Sequence, residues 1–359
     1  MPNEIMNIQF NPRPDIINDI RREVQRTNER LKKHGLTPDI FLDKNKTSLL
    51  HVKPASEWMD QEYGKPAPRK LFGDFWHEGE LCILFADTNL GKSILAVQIG
   101  NNISLGACMD PFANQMEAQT PVLYIDFEMG SKQFQSRYFD SQWGNFPFGR
   151  TFSRAEINHE ADNPALYDNY NDYLAAAVDR AILQSKAKVL IIDNLTYMRN
   201  GTERAKDALP LMKHLKALKT RHKLSVLALA HTPKRSAALP LTANDLQGSK
   251  MIINFCDSAF AIGESHTVPG GRYLKQIKQR NTQKMYGEQN VCLCHIAREI
   301  NDLRYVFDGY AHESDHLLQR RDRKLLKQQA LELQQQGHNY RYISNELKIG
   351  LATVNRLLG

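Results

Sequence analysis

The residues best suited to chemistry lie between Leu81 and Ile99, where the sequence reads LCILFADTNLGKSILAVQI. An apolar run enters a turn that ends in Gly-Lys-Ser, and a helical pattern leaves it, which is the order of a phosphate-binding loop. Gly91 lets the backbone approach a phosphate, Lys92 reaches the terminal phosphates, and the Ser93 hydroxyl suits Mg²⁺. The predicted nucleotide-binding residues are Ala86, Asp87, Thr88, Asn89, Leu90, Gly91, Lys92, Ser93 and Ile94.

Ala86 departs from the usual pattern, in which the first residue of the loop is glycine. Alanine has the smallest side chain after glycine, so we expect the turn to survive. The alternative is an ordinary strand, turn and helix that contain Gly-Lys-Ser by chance.

Carboxylates follow two other apolar runs, and each is a candidate partner for the loop. Asp193 ends the run VLIID, which places it at the carboxyl edge of a buried strand, where it can hold Mg²⁺ opposite Ser93. Glu128 follows the run VLYID, and a carboxylate there can orient and activate the water that attacks the γ-phosphate. Asp126, two residues earlier, is the competing candidate for that role.

Apolar runs alternate with helical patterns along the chain, which predicts an α/β fold with a parallel sheet covered on both faces. Four of the expected strands are Leu81–Phe85, Val122–Asp126, Val189–Ile192 and Leu224–Ala230. The expected helices after the loop helix are Tyr173–Gln184 and Glu203–Arg221, and a broad polar region runs from Phe139 to Tyr170. Closely spaced strands at Ser258–Ile262, Tyr273–Lys278, Val291–Ile296 and Leu303–Phe307 predict an antiparallel extension of the sheet.

Over about Leu71–Gly309 these motifs resemble a RecA-like P-loop ATPase, closest to the hexameric replicative helicases of the RepA and DnaB kind. The segment EMGSKQFQSR, from Glu128 to Arg137, is similar to a DnaB-type pattern whose glutamate is the catalytic carboxylate. The resemblance therefore favours Glu128 over Asp126. It also implies that His231, which ends the run LALAH, senses the γ-phosphate.

The segment KQRN, from Lys278 to Asn281, resembles a motif whose basic side chains reach the ATP of the neighbouring subunit. By that resemblance Lys278 and Arg280 stabilise transition-state charge in trans, which implies a homo-oligomer such as a hexameric ring. The alternative for these two residues is a solvated strand end. The implied catalytic set is Glu128, Lys92, His231, Lys278 and Arg280, with ATP and Mg²⁺ as the cofactors.

The loop from Thr232 to Met251 is a candidate for DNA contact, because it carries Lys234, Arg235 and Lys250 among small residues. Motors of this class direct such loops at single-stranded DNA in a central channel, where backbone phosphates are bound with little base preference. The alternative is a flexible surface loop.

From Leu317 onward the chain has eight basic and three acidic residues, so this tail carries most of its excess positive charge. Short helical patterns in the tail resemble the helix-turn-helix of resolvase-like DNA-binding domains. That resemblance implies that Tyr342, Thr353, Asn355 and Arg356 face phosphate or a groove of duplex DNA. The alternative is a three-helix tail that never touches DNA.

The chain has 359 residues, a formal charge of +7 and 42% apolar residues, which allows a main domain with appendages. We expect an N-terminal helix and lead-in over residues 1–70, with the helix from Pro14 to Lys33. A RecA-like ATPase domain over 71–310 and a helix-turn-helix-like domain over 317–359 follow.

Five cysteines occur, and we expect Cys82, Cys256, Cys292 and Cys294 to be core residues rather than metal ligands, because they lie in or beside apolar runs. The first residues lack a basic stretch followed by an apolar one, and no apolar run is long enough to span a membrane. A cytoplasmic protein without a membrane partner is therefore expected.

The sequence as a whole predicts an ATP-hydrolysing DNA motor, such as a hexameric replication or mobilisation helicase of a plasmid or other mobile element. One alternative is a DNA-bound ATPase regulator or recombination accessory that uses ATP to assemble. The other is a nucleotide-dependent protein-interaction switch with no DNA role.

Overall fold

The computed structural model describes residues 50–161, 167, 169–198, 205–233, 235–246, 249–318, 323–347 and 349–358, together with Arg22, Arg26 and Glu29. The strands in these ranges are β1 (Lys70–Phe72), β2 (Trp76–His77), β3 (Leu81–Ala86), β4 (Val122–Asp126), β5 (Phe139–Asp140), β6 (Gly144–Asn145), β7 (Phe152–Glu156), β8 (Val189–Asp193), β9 (Ser225–His231), β10 (Ser258–Glu264), β11 (Gly271–Lys278), β12 (Val291–Glu299) and β13 (Asp302–Ala311).

The helices in the same ranges are α1 (Ala55–Glu62), α2 (Lys92–Leu105), α3 (Ser131–Arg137), α4 (Tyr170–Ser185), α5 (Ala205–His222), α6 (Ser249–Phe255), α7 (Arg323–Gln335), α8 (Tyr340–Glu346) and α9 (Leu351–Leu358). Short 3₁₀ turns lie at Ala243–Asp245 and Glu313–His316.

Nine strands form one sheet in the order β13-β12-β11-β10-β3-β9-β8-β4-β7. From β10 to β7 every neighbouring pair is parallel, and from β10 to β13 every pair is antiparallel. Parallel neighbours need a crossover connection, and helices α2, α4, α5 and α6 lie in the connections between parallel strands. The predicted fold class, an α/β RecA-like core with a parallel sheet and an antiparallel extension, is confirmed.

The parallel sheet is covered on both faces, because its central strands are apolar at nearly every position. In β3, Leu81 and Ile83 pack in one buried cluster, whereas Cys82 and Leu84 pack in the other. Successive side chains of a strand point to opposite faces, so a continuous apolar run fits a strand that is buried on both. The buried cysteines are Cys82, Cys256, Cys292 and Cys294, which confirms their expected place in the core.

The structure differs from the sequence prediction between Phe139 and Tyr170, where the edge strand β7 pairs in parallel with β4. Its sequence, FSRAE, contains no apolar run, and its residues are only partly buried or exposed. A strand with one neighbour and little burial leaves no hydrophobic pattern in the sequence. Asp193 and His231, by contrast, are the last residues of β8 and β9, one residue beyond the predicted strand ends.

The chain divides into two compact units, residues 1–67 with 163–168, and residues 68–162 with 169–359. In the first unit, α1 lies in the segment predicted to be a lead-in. The predicted helix from Pro14 to Lys33 lies outside the described residues, apart from the helical positions Arg22, Arg26 and Glu29. None of the helices in the described ranges combines the length and apolarity needed to cross a membrane.

The tail consists of three short helices, as its sequence pattern predicts. Ala330 of α7, Ile343 of α8 and Val354 of α9 are buried against one another in a small separate core. Gly337 follows α7 with a positive φ of 85°, a conformation that suits glycine after a helix.

Candidate active site

The predicted site residues meet at one edge of the sheet, at the carboxyl ends of four parallel strands. Ala86 ends β3 and pairs with His231 at the end of β9. Asp193 ends β8 and pairs with Asp126 at the end of β4. Ligands of open α/β sheets bind outside the carboxyl ends of the strands, so this edge is the candidate site.

The loop between β3 and α2 has the backbone shape of an anion site. Asn89 and Gly91 have positive φ angles of 64° and 90°, and α2 begins at Lys92. Such left-handed residues turn successive N–H groups to one side, and the helix N-terminus adds partial positive charge. Ala86 is the last residue of an extended strand rather than part of the turn, which explains why alanine fits there.

The Lys92 side chain is buried and lies across the loop. Its ammonium donates hydrogen bonds to the carbonyl oxygens of Ala86 and Asp87, both at 3.1 Å, and lies 3.3 Å from Nδ1 of His231. Burial lowers the pKa of Lys92, and the carboxylates of Asp193 and Glu128 oppose that shift. The ammonium therefore lies at the centre of the site, where a terminal phosphate would meet it.

Asp193 and Ser93 form the part of the site that suits a cation. The Tyr124 hydroxyl donates to Oδ2 of Asp193 at 2.7 Å, whereas the buried Oδ1 has no hydrogen-bond partner among the described residues. Burial raises the pKa of Asp193 to about 6, against the effect of the Ser93 and Tyr124 hydroxyls. An unpaired buried carboxylate oxygen beside a hydroxyl fits Mg²⁺, which binds through few protein oxygens together with water and phosphate.

The environments of Glu128 and Asp126 separate the two candidates for the water-activating carboxylate. Oδ1 of Asp126 accepts hydrogen bonds from the N–H groups of Glu128 and Met129, at 3.1 and 2.9 Å. Oδ2 of Asp126 accepts from Nε of Arg154 at 3.1 Å, so both oxygens hold the turn after β4. The Glu128 side chain remains 43% exposed and faces His231 at 3.2 Å, which leaves it accessible to a reacting water.

His231 connects the lysine to the glutamate. A lysine ammonium only donates, so Nδ1 accepts from Lys92 and the Nε2 proton is directed at Oε1 of Glu128, 3.2 Å away. The hydrogen bond from His231 lowers the pKa of Glu128, while burial opposes the shift. This contact keeps Glu128 ionised, which is the form that a general base requires.

Asn194 belongs to the same cluster and is not among the predicted site residues. Its side-chain Nδ2 donates to Oε1 of Glu128, and its Oδ1 accepts from the N–H of Thr196 at 2.8 Å. Asn194 is only 4% exposed. The available signal was its position directly after Asp193, where a polar side chain leaves a buried strand at the ligand-binding edge.

Lys278 and Arg280 lie away from this cluster. Lys278 pairs with Ala259 near the start of β10, whereas Ala86 pairs with Ile262. The Lys278 ammonium donates to the carbonyl oxygens of Ile253 and Cys256 at the end of α6. Burial lowers its pKa, so the side chain is not a fully solvated strand end.

Arg280 is 49% exposed at the same end of α6. Its guanidinium donates to the carbonyl oxygen of Asn254 at 2.9 Å and lies 3.6 Å from the Asp257 carboxylate. Neither basic residue contacts the nucleotide site of its own subunit, and their action in trans stays a prediction.

The three cations proposed for the DNA-facing loop are described to different extents. Lys234 lies outside the described residues, and Lys250 lies in α6 with a side chain outside them. Arg235 is described and is largely buried. Its guanidinium lies 3.3 Å from the Asp245 carboxylate and donates to the carbonyl oxygen of Leu239, so it holds the loop rather than projecting from it.

The four residues proposed for duplex contact lie on the last two helices. Tyr342 of α8 is 45% exposed and stacks on His338. Asn355 and Arg356 of α9 are exposed, and Thr353 is partly buried. The arrangement leaves these polar side chains on the outer surface of the small three-helix core.

Comparison with known proteins gives one family. A family profile described as AAA domain matches residues 47–237. The matched segment contains the phosphate loop, Glu128, Asp193 and His231, and it ends before Lys278.

Among solved structures, 417 chains match. One is the crystal structure of a KaiC-like protein from the hyperthermophilic archaeon Pyrococcus horikoshii OT3, with 12% identity and a TM-score of 0.45 over 67% of this chain and 99% of that chain. A search of curated protein sequences found no match.

Proposed function

Because this chain belongs to the AAA domain family and is an ATPase of that class, we propose that it is a DNA-directed motor. Its proposed form is a hexameric helicase or a replication or mobilisation ATPase of a plasmid or other mobile element. The observation that carries the proposal is the position of His231. This residue contacts both Lys92 and Glu128, and the loop from Thr232 follows it directly.

Hydrolysis follows from the groups at the sheet edge. The loop amides and Lys92 bind the phosphates, and Glu128 orients and deprotonates the attacking water. Ser93 and Asp193 would hold Mg²⁺, which when bound neutralises phosphate charge. Asn194 and His231 both contact Oε1 of Glu128, so its carboxylate is oriented before ATP arrives.

A link from ATP to DNA is supported by the connection between His231 and the loop. A γ-phosphate competes with His231 for Lys92, so binding and loss of that phosphate change the partners of His231. The next residue, Thr232, donates from its N–H to the carbonyl oxygen of Ala86 at 3.1 Å. The loop therefore begins at a residue that is bonded to the end of β3, beside the phosphate loop, so a change in the partners of His231 acts directly on its first residue.

A DNA-bound ATPase regulator without unwinding activity is the second candidate, and one observation favours it. Arg235, the described cation of the loop, is paired with Asp245, whereas the tail exposes Asn355 and Arg356. In this arrangement the tail residues proposed to contact duplex DNA are more exposed than the described loop residue proposed to contact single-stranded DNA.

The test combines hydrolysis, unwinding and footprinting on the full chain. Wild-type protein is given ATP with no DNA, single-stranded DNA or duplex DNA, and a forked duplex is used for unwinding. We expect DNA to stimulate hydrolysis and the fork to be unwound, with Lys92→Ala inactive in both assays.

A footprint on the DNA next to the protein's own gene, without unwinding, would support the regulator. If neither form of DNA binds or raises the hydrolysis rate, both DNA proposals are wrong and the nucleotide-dependent protein switch remains.

A further inference from the structure

Two side chains of the antiparallel extension hold one carbonyl group of the phosphate loop. The carbonyl oxygen of Leu90 accepts a hydrogen bond from Nε of Arg272 at 3.0 Å and another from the Tyr305 hydroxyl. Arg272 lies in β11 and Tyr305 in β13. Both lie outside the segment that matches the AAA domain, so nothing in that match gives them a role.

The peptide bond that follows Leu90 determines what this contact does. A trans peptide unit directs its C=O and N–H to opposite sides. With the Leu90 carbonyl fixed toward β11 and β13, the Gly91 N–H is directed to the side of the loop that faces away from these strands. Within the described part of the chain no group accepts a hydrogen bond from this N–H, so it is free to bind an anion.

The two donors are themselves held in place. Tyr305 is 1% exposed, and its backbone exchanges two hydrogen bonds with the Gln98 side chain of α2, at 2.8 and 3.0 Å. Arg272 donates a second bond to the carbonyl oxygen of Gly270 at 2.7 Å. Strand β13 is thus fixed to helix α2, which leaves the loop. Through the Tyr305 hydroxyl the same strand is also bonded to the loop itself.

Gly91 shows how closely the loop approaches these strands. A side-chain carbon at this position would lie 2.6 Å from the Ile296 side chain and 3.0 Å from the Tyr305 hydroxyl. A side chain at this position would therefore collide with β12 and β13, and glycine lets the loop pack directly against these strands.

We infer that Arg272 and Tyr305 are positioning residues for nucleotide binding, and that they preset the Gly91 N–H toward the phosphates by holding the Leu90 carbonyl. The inference rests on the proposed nucleotide site. It assigns the antiparallel extension a part in ATP affinity, in addition to its place in the sheet.

The test is the affinity of the full chain for a non-hydrolysable ATP analogue with Mg²⁺, measured for wild type, Tyr305→Phe, Arg272→Met and the double variant. Tyr305→Phe removes one oxygen and keeps the ring. Since one net hydrogen bond is worth about threefold to tenfold in a binding constant, each single variant is expected to bind that much more weakly. The double variant is expected to lose more than either.

The turnover rate at saturating ATP separates positioning from catalysis. Because neither side chain contacts the reacting atoms, we expect that rate to stay within about twofold of wild type while KM rises in step with the analogue Kd. Melting temperatures without nucleotide identify any variant that is simply less well folded. Tyr310→Phe and Arg304→Met, which lie in the same strand and are 49% and 38% exposed, are the matched controls and should bind as wild type does.

The possible outcomes separate a failure of this inference from a failure of the proposed ATPase function. Wild-type affinity with an unchanged double variant would overturn the inference and leave the ATPase proposal intact. A wild-type chain with no measurable affinity for the analogue would overturn both.

Discussion

Of the two buried aspartates at this sheet edge, Asp126 forms a salt bridge and Asp193 forms none within the described part of the chain. Asp126 pairs with Arg154, whose guanidinium lies 3.0 Å from its carboxylate. Asp193 is equally buried, but its described partners are hydroxyl groups, and burial raises its pKa to about 6. A carboxylate kept ready for a cation is therefore a local cost to the fold that Mg²⁺ would offset.

Asp193→Asn should stabilise the chain when Mg²⁺ is absent. A pKa that rises from 3.8 to about 6 on folding gives stability that is fully present below pH 3.8 and is lost as the pH rises through about 6. Relative to wild type, the asparagine variant should therefore gain up to about 3 kcal/mol between about pH 4 and pH 8. Urea unfolding with a chelator at each pH measures the difference.

Asp126→Asn is the matched control, because it changes a buried aspartate that has a guanidinium partner. It removes one of the two carboxylates that pair with the Arg154 guanidinium, the other being Glu156, and should lose on the order of 2 kcal/mol at neutral pH. If the two variants respond with the same sign, the contrast drawn between these carboxylates is wrong.

At the scale of elements, the loop that follows β9 is anchored by residues that are not part of the phosphate loop. The buried ammonium of Lys275 lies 2.5 Å from the buried Glu313 carboxylate. Leu241 joins both, because its N–H donates to Glu313 and its carbonyl oxygen accepts from Lys275, each at 2.8 Å. The loop is thus held at Thr232 by β3 and at Leu241 by this ion pair, and the contact of Arg235 with Asp245 constrains the segment between them.

Lys275→Met should destabilise the chain by about 3–5 kcal/mol, because it leaves the buried Glu313 charge without its partner. The double variant Lys275→Met, Glu313→Gln removes both charges and should be more stable than Lys275→Met alone. Urea unfolding of the two single variants and the double variant measures the coupling.

The exposed pair Arg304 and Glu299 in the neighbouring hairpin is the control, and its loss should cost less than about 1 kcal/mol. Equal losses from the two pairs would show that the Lys275–Glu313 pair does not hold the loop.

The parts of the fold that the sequence predicted are those where one physical signal dominates. A strand buried on both faces must be apolar throughout, so β3, β4, β8 and β9 were identified to within a residue or so at each end. The edge strand β7 has no such requirement, and the eight residues of α1 are all exposed. Strand β7 depends on β4, which is distant in sequence, and α1 buries none of its side chains, so local patterns report neither element.

The same distinction applies to the site. Lys92, Asp193 and Glu128 were found because a short motif or a strand end marks them. The contacts of Asn194 with Glu128, of Arg154 with Asp126 and of Tyr305 with Leu90 join residues that are 66, 28 and 215 positions apart. No local spacing encodes such pairs, and only the completed sheet brings them together.

For the molecule as a whole, the sheet separates the nucleotide site from the proposed trans-acting cations. Ala86 and His231 lie at the carboxyl ends of the parallel strands, whereas Lys278 and Arg280 bind carbonyl groups just before β10 begins. In a head-to-tail ring each subunit presents one surface to the next, and different surfaces meet at every interface. Residues remote from their own site are then able to complete that of a neighbour.

Mixing inactive subunits tests whether the site is shared. Lys92→Ala subunits keep Arg280 but lack a working loop, and Arg280→Ala subunits keep the loop. In rings formed from equal amounts, about a quarter of the interfaces combine an intact loop with an intact arginine. Hydrolysis should therefore return to a measurable fraction of the wild-type rate.

The matched mixture replaces the Lys92→Ala subunit by the double variant Lys92→Ala, Arg280→Ala, so that no arginine is present anywhere and no recovery is expected. Arg280 also contacts Asn254 and Asp257 within its own subunit, so a merely structural role would make Arg280→Ala inactive without making it rescuable. If sizing confirms that the first mixture forms mixed oligomers and no hydrolysis returns, the shared site is ruled out. Arg280 would then have only a structural role at the end of α6.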